Sequence, residues 1–202
     1  MKTTVLFIRH ESREGSDVPL NALPEESRKR AVRSGSRLKE MGLTIDVAVS
    51  SPQFRSIDTL YCNMIGMGEV VPLTSADPRL GDALLGRYPF APEEIDALKK
   101  RATETGTSAE ELLLSDPQFR EQLMARGKEG AEAILEYVRG YPGKIIGIAS
   151  HGGGRLEPVL AALLGVELDA VGTRFEAGSV AILTFESDCL LDVDYLGNLG
   201  RQ

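Results

Sequence analysis

Residues 5–10 read VLFIRH: four apolar side chains, Val5 to Ile8, run straight into Arg9 and His10. A continuous apolar run of this length marks a strand buried on both faces, as in a parallel sheet. The other histidine of the chain, His151, closes a second such run, KIIGIAS at Lys144–Ser150. Between them Ile45–Val49 reads as a further strand, and it passes directly into SSPQFRSIDTLYCNMIG. There Ser51 is the expected N-cap, Pro52 the first helical residue, and Phe54, Ile57, Tyr61 and Met64 recur at helical spacing. The first turn of that helix carries Arg55. Two strand ends and a helix start thus hold two arginines and both histidines.

The rest of the chain supplies the frame. Pro24, Glu25 and Glu26 open an earlier helix, with Ala31, Leu38 and Met41 on one face and Gly42 at its end. Its Glu25, Glu26, Arg28, Lys29 and Arg30 read as a solvated face. Glu69–Leu73 is expected as a short third strand. From about Ala76 to Arg126 there is no long apolar run. Short helices are expected from Ala91, after Ser108 (a capping box with Glu111) and from Asp116-Pro117, with another at Lys128–Arg139. Tyr88 and Phe90 read as local packing. Leu156, Leu160, Leu163 and Leu164 share a helical face, and SVAILTF and CLLDVDYL are antiparallel strands joined at Ser187-Asp188. The order predicts an α/β fold, a three-layer α/β/α sandwich with a mostly parallel central sheet and a small inserted helical cap. It predicts one domain over residues 1–202, the cap at about 76–126.

Composition narrows the class. A chain of 202 residues is long enough for one sizeable core. Its net charge of −7 argues against nucleic acid or an anionic membrane as partner, because phosphate backbones need a cationic face. It leaves room for a small anion in a local arginine pocket. No stretch approaches the ~20 apolar residues of a membrane span, and VLFI is too short for a secretory signal. Cys62 and Cys189 form no CxxC pair and read as reduced thiols of a soluble cytoplasmic protein. An edge strand near Leu190–Tyr195 is where a homodimer would pair, and the oligomeric state stays open.

In open α/β sheets, ligands bind beyond the carboxyl ends of the strands. If the three strands are neighbours, Arg9, His10, Arg55 and His151 converge there. The helix starts at Ser51 and near Gly152–Gly154 would add backbone N–H groups suited to an anion. Arginine matches two phosphoryl oxygens with a permanently charged fork. A neutral imidazole can attack phosphorus, and nearby arginine charge should hold His10 neutral. The second histidine can donate to a phosphoryl oxygen as charge redistributes. No HxH or HExxH spacing suggests a metal, and no cofactor is implied. Taken singly, a histidine after a strand reads as a cap, three glycines as a turn, and Arg55 as helix surface. Their joint order carries the phosphate reading.

In that order FIRHES, SSPQFRSIDT and ASHGGG resemble the signatures of the histidine phosphatase superfamily, the phosphoglycerate mutase-like family, and LPEESRKRA is similar to its first helix. The resemblance implies that His10 is the phosphorylated nucleophile, that Arg9 and Arg55 clamp phosphoryl oxygens, and that His151 is the second histidine. It implies a proton donor in Arg79-Leu80-Gly81-Asp82, where Asp82 replaces the family's glutamate. Two further departures bear on the substrate. Glu11 stands where the family has glycine after the first histidine, and Ser16 where many members have asparagine. Glu11, Ser16 and Gly152 are therefore the substrate-binding candidates, with Glu11 an alternative participant in acid–base work.

The expected function is a metal-independent phosphatase of the histidine acid type. It would hydrolyse a phosphomonoester, on a small phosphorylated metabolite, through a phosphohistidine. The cap's cations (Arg87, Lys99, Lys100, Arg101) are balanced by Glu93, Glu94, Glu110 and Glu111, which favours hydrolysis over a mutase's double phosphate grip. The alternatives are mutase-type phosphoryl transfer and a non-catalytic phosphate-binding module.

Overall fold

The computed structural model describes residues 1–12, 23–81, 92–107, 112, 115–150, 156–171 and 175–201. Its strands are β1 (Lys2–Arg9), β2 (Val47–Ser50), β3 (Leu73–Ala76), β4 (Ile145–Ser150), β5 (Val180–Glu186) and β6 (Cys189–Gly197). Its longer helices are α1 (Glu25–Glu40), α2 (Phe54–Met67), α3 (Pro92–Thr105), α4 (Pro117–Gly140) and α5 (Leu156–Leu164). The strands make one sheet in the order β3-β2-β4-β1-β5-β6. β1, β2, β3 and β4 pair in parallel, while β5 runs antiparallel to both its neighbours.

The opening apolar run explains the layers. Val5 and Phe7 join one core with Ile134 and Val138 of α4 and Leu156 and Leu160 of α5. Leu6 and Ile8 join the opposite core with Leu38 of α1 and Leu60, Met64 and Met67 of α2. Alternating side chains of one strand thus feed both faces of the sheet. All four are fully buried, each contributing about 1.5–3 kcal/mol of hydrophobic stabilisation. The α/β class, the mostly parallel sheet and the helical layers on both faces match the expectation.

Local expectations shift where backbone chemistry overrides pattern. The third strand begins at Leu73, not Glu69, because Pro72 has no N–H to give to a ladder. Ser51 does not cap α2: its N–H bonds Ala149 O at 2.8 Å, so it prolongs the path of β2, and the helix starts at Phe54 behind Gln53. Phe54 is 71% exposed, since the buried face of α2 begins only at Ser56. Met41 and Leu164 are exposed too, one being the residue that caps α1 and the other the last of α5. The helices expected from Asp116-Pro117 and at Lys128–Arg139 are one 24-residue helix, α4, so residue 126 lies inside it. Gly127 does not break that helix. It lets α4 meet α5 closely: a Cβ there would lie 2.5 Å from the carbonyl of Pro158.

β5 and β6 turn through Ser187, whose φ of 56° lies in the left-handed region. Cys62 is buried, Cys189 is exposed, and both are free. No helix among the described residues is long and apolar enough to cross a membrane. Ser16, Asp82, Tyr88, Phe90, the Ser108–Glu111 capping box, and His151 with Gly152–Gly154 lie outside the described residues.

Candidate active site

Strand order brings Arg9, His10 and Arg55 together. β4 lies between β1 and β2, and the three end level: Ile8 and Ser50 both pair with Ala149, and Arg9 pairs with Ser150. The first residues beyond β1 and β2 hold the end of β4 from either side. His10 N–H donates to Ser150 O at 3.2 Å and Ser51 N–H to Ala149 O at 2.8 Å. Ser150, the last residue of β4, thus lies between the ends of β1 and β2. On the far side of β1, Gly178 N–H donates to His10 O at 3.1 Å and Arg9 N–H to Ser179 O at 2.9 Å. The nucleophile candidate is therefore held by backbone on both flanks.

His10 is buried, and its Nδ1 lies 2.8 Å from the carbonyl oxygen of Glu11. A carbonyl only accepts, so Nδ1 carries the proton; the neutral ring then keeps its lone pair on Nε2. Burial, then the charge of Arg55, then that of Arg9 push the pKa down from 6.5 to about 3, against the raising effect of the bond to Glu11. The sequence argument rested on arginine charge alone, but desolvation is the larger cause. The outcome is a neutral imidazole, in one tautomer, next to two permanent cations. Such a group can attack an electrophilic phosphorus whose oxygens the cations bind.

Both arginines are oriented by oxygen atoms. Arg9 Nη1 donates to Phe175 O, in the segment that leads into β5. In the first turn of α2, Arg55 donates from Nε and Nη2 to Gln53 Oε1, each at 3.3 Å. Arg79 donates from Nη2 to Asp77 Oδ2 and to Glu136 Oε2, both at 2.8 Å. The Leu80 carbonyl accepts from Ser150 Oγ at 2.6 Å, so the stretch leading to Asp82 is tied to the end of β4.

Glu11 has its carboxylate in the interior, 1% exposed, where Oε2 accepts from Arg30 Nε at 3.1 Å and from Ser12 N–H at 3.3 Å. Its own N–H donates to Thr59 Oγ1 at 3.1 Å. Gly178 leaves the space for it, since a Cβ there would lie 2.3 Å from Glu11 Oε1. Arg30 thus turns inward, contrary to its reading as part of a solvated face, and Arg30, Thr59 and Gly178 are site residues the sequence reasoning passed over. The signal for Arg30 was Glu11 itself, because a carboxylate beside a buried strand end needs a cation.

The family model of the histidine phosphatase superfamily (branch 1) matches residues 7–193. No curated protein matches the chain. Among solved structures, it is similar to Bacillus stearothermophilus YhfR, at 24% identity over 97% of each chain with a TM-score of 0.68. It is similar to the phosphoglycerate mutase of Bacillus anthracis, at 19% identity over 100% of this chain and 97% of that one, TM-score 0.65. A mutant phosphoserine phosphatase of Entamoeba histolytica, in complex with phosphoserine, is 14% identical over 98% of each chain, with a TM-score of 0.64. At these identities the likeness establishes the shared α/β fold.

Proposed function

The chain belongs to the histidine phosphatase superfamily, and from that premise we propose that it is a metal-independent phosphomonoesterase acting through a phosphohistidine on His10. The observation that carries the reading is the His10 ring: buried, neutral, and donating from Nδ1 to Glu11 O so that Nε2 is left as nucleophile. In this reading Arg9 and Arg55 bind the phosphoryl oxygens and His151 donates to a third. Gly152 and Ser16 border the substrate. Glu11 contributes its carbonyl to His10, while its carboxylate serves the pair with Arg30.

The chemistry takes two displacements. Nε2 attacks phosphorus in line, the P–O ester bond breaks, and the Asp82 carboxylic acid protonates the leaving oxygen. The Asp82 carboxylate then takes a proton from water, whose oxygen attacks phosphorus. The P–N bond breaks, and phosphate leaves with His10 neutral again.

Hydrolysis is preferred to mutase transfer because the cap cations Lys100 and Arg101 lie within 3.9 Å of acidic partners, Glu104 and Asp116. That leaves fewer charges for a second phosphate. The same reading has residues 76–126 as a cap within a single domain, a small phosphorylated metabolite as substrate, and the cytoplasm, with its reduced thiols, as the compartment. Purified protein is to be assayed on a panel of phosphomonoesters with chelator present, with His10→Ala in parallel. Turnover that survives the chelator and vanishes in the variant supports the mechanism; equal turnover in the variant ends it.

A further inference from the structure

Glu157 is a carboxylate buried within α5 and is not among the family's signature residues. Its Oε1 accepts from Phe175 N–H at 2.9 Å. On the other side of that residue, Phe175 O accepts from Arg9 Nη1. Phe175 itself is 1% exposed and wedged edge-on between two rings, Phe7 at 5.9 Å and Tyr195 at 5.3 Å between centroids. Its backbone therefore has a buried carboxylate at its N–H and a guanidinium at its carbonyl, with the side chain locked by aromatic packing. We propose that Glu157 is a positioning residue for the phosphate clamp Arg9, acting through the backbone of Phe175.

The physical reasoning is preorganisation. An arginine side chain loses rotamer freedom when it must be ordered by its ligand, and an anchor present before binding removes that cost. One Nη donor fixed on a carbonyl sets the plane of the guanidinium fork, and with it the direction in which the fork meets an anion. The carbonyl is a reliable anchor only if the Phe175 backbone cannot rotate, and the Glu157 bond to its N–H opposes that rotation. An apolar residue in place of Glu157 leaves a buried N–H without its acceptor, which favours reorientation of the backbone and loss of the anchor.

The inference rests on Arg9 being a phosphate clamp, so the experiment separates the two. Binding of inorganic phosphate to the full-length protein is measured by calorimetry, without turnover, for Glu157→Leu, Glu157→Gln, Arg9→Ala and the double variant Arg9→Ala/Glu157→Leu. Glu157→Leu is expected to weaken phosphate about 3- to 10-fold, the scale of ordering one long side chain. Glu157→Gln keeps an acceptor oxygen and should stay within about twofold of the parent. In the Arg9→Ala background, Glu157→Leu should change nothing further. Wild-type affinity in Glu157→Leu, or the same loss with and without Arg9, overturns the positioning role. Undiminished affinity in Arg9→Ala overturns the clamp itself. If Glu157→Leu does not fold, nitrogen-15 NMR of the wild-type guanidinium decides: slowed rotation of the Arg9 Nη groups before phosphate is added is expected, and free averaging refutes the anchor.

Discussion

A histidine that refuses a proton until about pH 3 leaves a mark on folding as well as on catalysis. In the unfolded chain His10 titrates near 6.5, while in the folded protein burial and the charges of Arg55 and Arg9 hold it near 3. Between those values the unfolded state binds a proton at this position that the native state does not, so stability rises with pH there. The contribution of His10 is therefore unperturbed above about pH 6.5, declines as the pH falls toward 3, and declines no further below that. Each pH unit inside the window is worth about 1.36 kcal/mol. Lowering the pH from 6.5 to 5 should thus remove about 2 kcal/mol through this residue alone. Urea denaturation at a series of pH values measures it, on the wild type and on His10→Gln. Every other titratable group is common to the two proteins, and the difference between the two slopes isolates His10. Arg55→Gln removes the second largest cause of the shift and should narrow the window from its acid end. Parallel stability curves for wild type and His10→Gln between pH 7 and 4 would refute the buried, neutral imidazole, and the ready nucleophile with it.

Two further outcomes follow from buried charge. Arg30→Met strands the Glu11 carboxylate, which is 1% exposed; thermal or urea unfolding should show a loss of about 3 kcal/mol, most of it recovered when Glu11→Gln is added. Cys62 has its thiol pushed up to about 11 by burial and then by the neighbouring Asp58, whereas Cys189 is exposed. An aromatic disulfide reagent at pH 8 should therefore titrate one thiol quickly and the second only after denaturation.

Much of the fold was legible because it is written in short-range patterns. Val5–Ile8 and Ile145–Ser150 are short apolar runs with no polar face, and that continuity over so short a length is enough to identify them as strands buried on both faces. The ends of α1 were also readable, from Pro24 and the acids behind it to Gly42. Where the reading slipped, the cause was a partner remote in sequence. Ser51 has the side chain of a cap, but its N–H is taken by Ala149 from a strand nearly one hundred residues on. The helices expected from Asp116-Pro117 and at Lys128–Arg139 are one, continuous through Gly127, against which Pro158 packs. Arg30 sits in a run of exposed charges, and only the third dimension shows that its guanidinium reaches Glu11.

The site divides along the same line. The sequence alone determined which residues have the chemistry: two histidines and two arginines, each placed at a strand end or helix start by local pattern. Only tertiary structure decided that Arg9, His10 and Arg55 share one place, because that requires β4 to lie between β1 and β2, and strand order is a choice among non-local hydrogen-bonded pairings. It also decided the electrostatics. The depressed pKa of His10 comes first from burial, which many remote side chains produce together, and no spacing along the chain encodes that. The link from Glu157 through Phe175 to Arg9 is of the same kind, joining positions 157, 175 and 9 by contacts that exist only once the layers have closed.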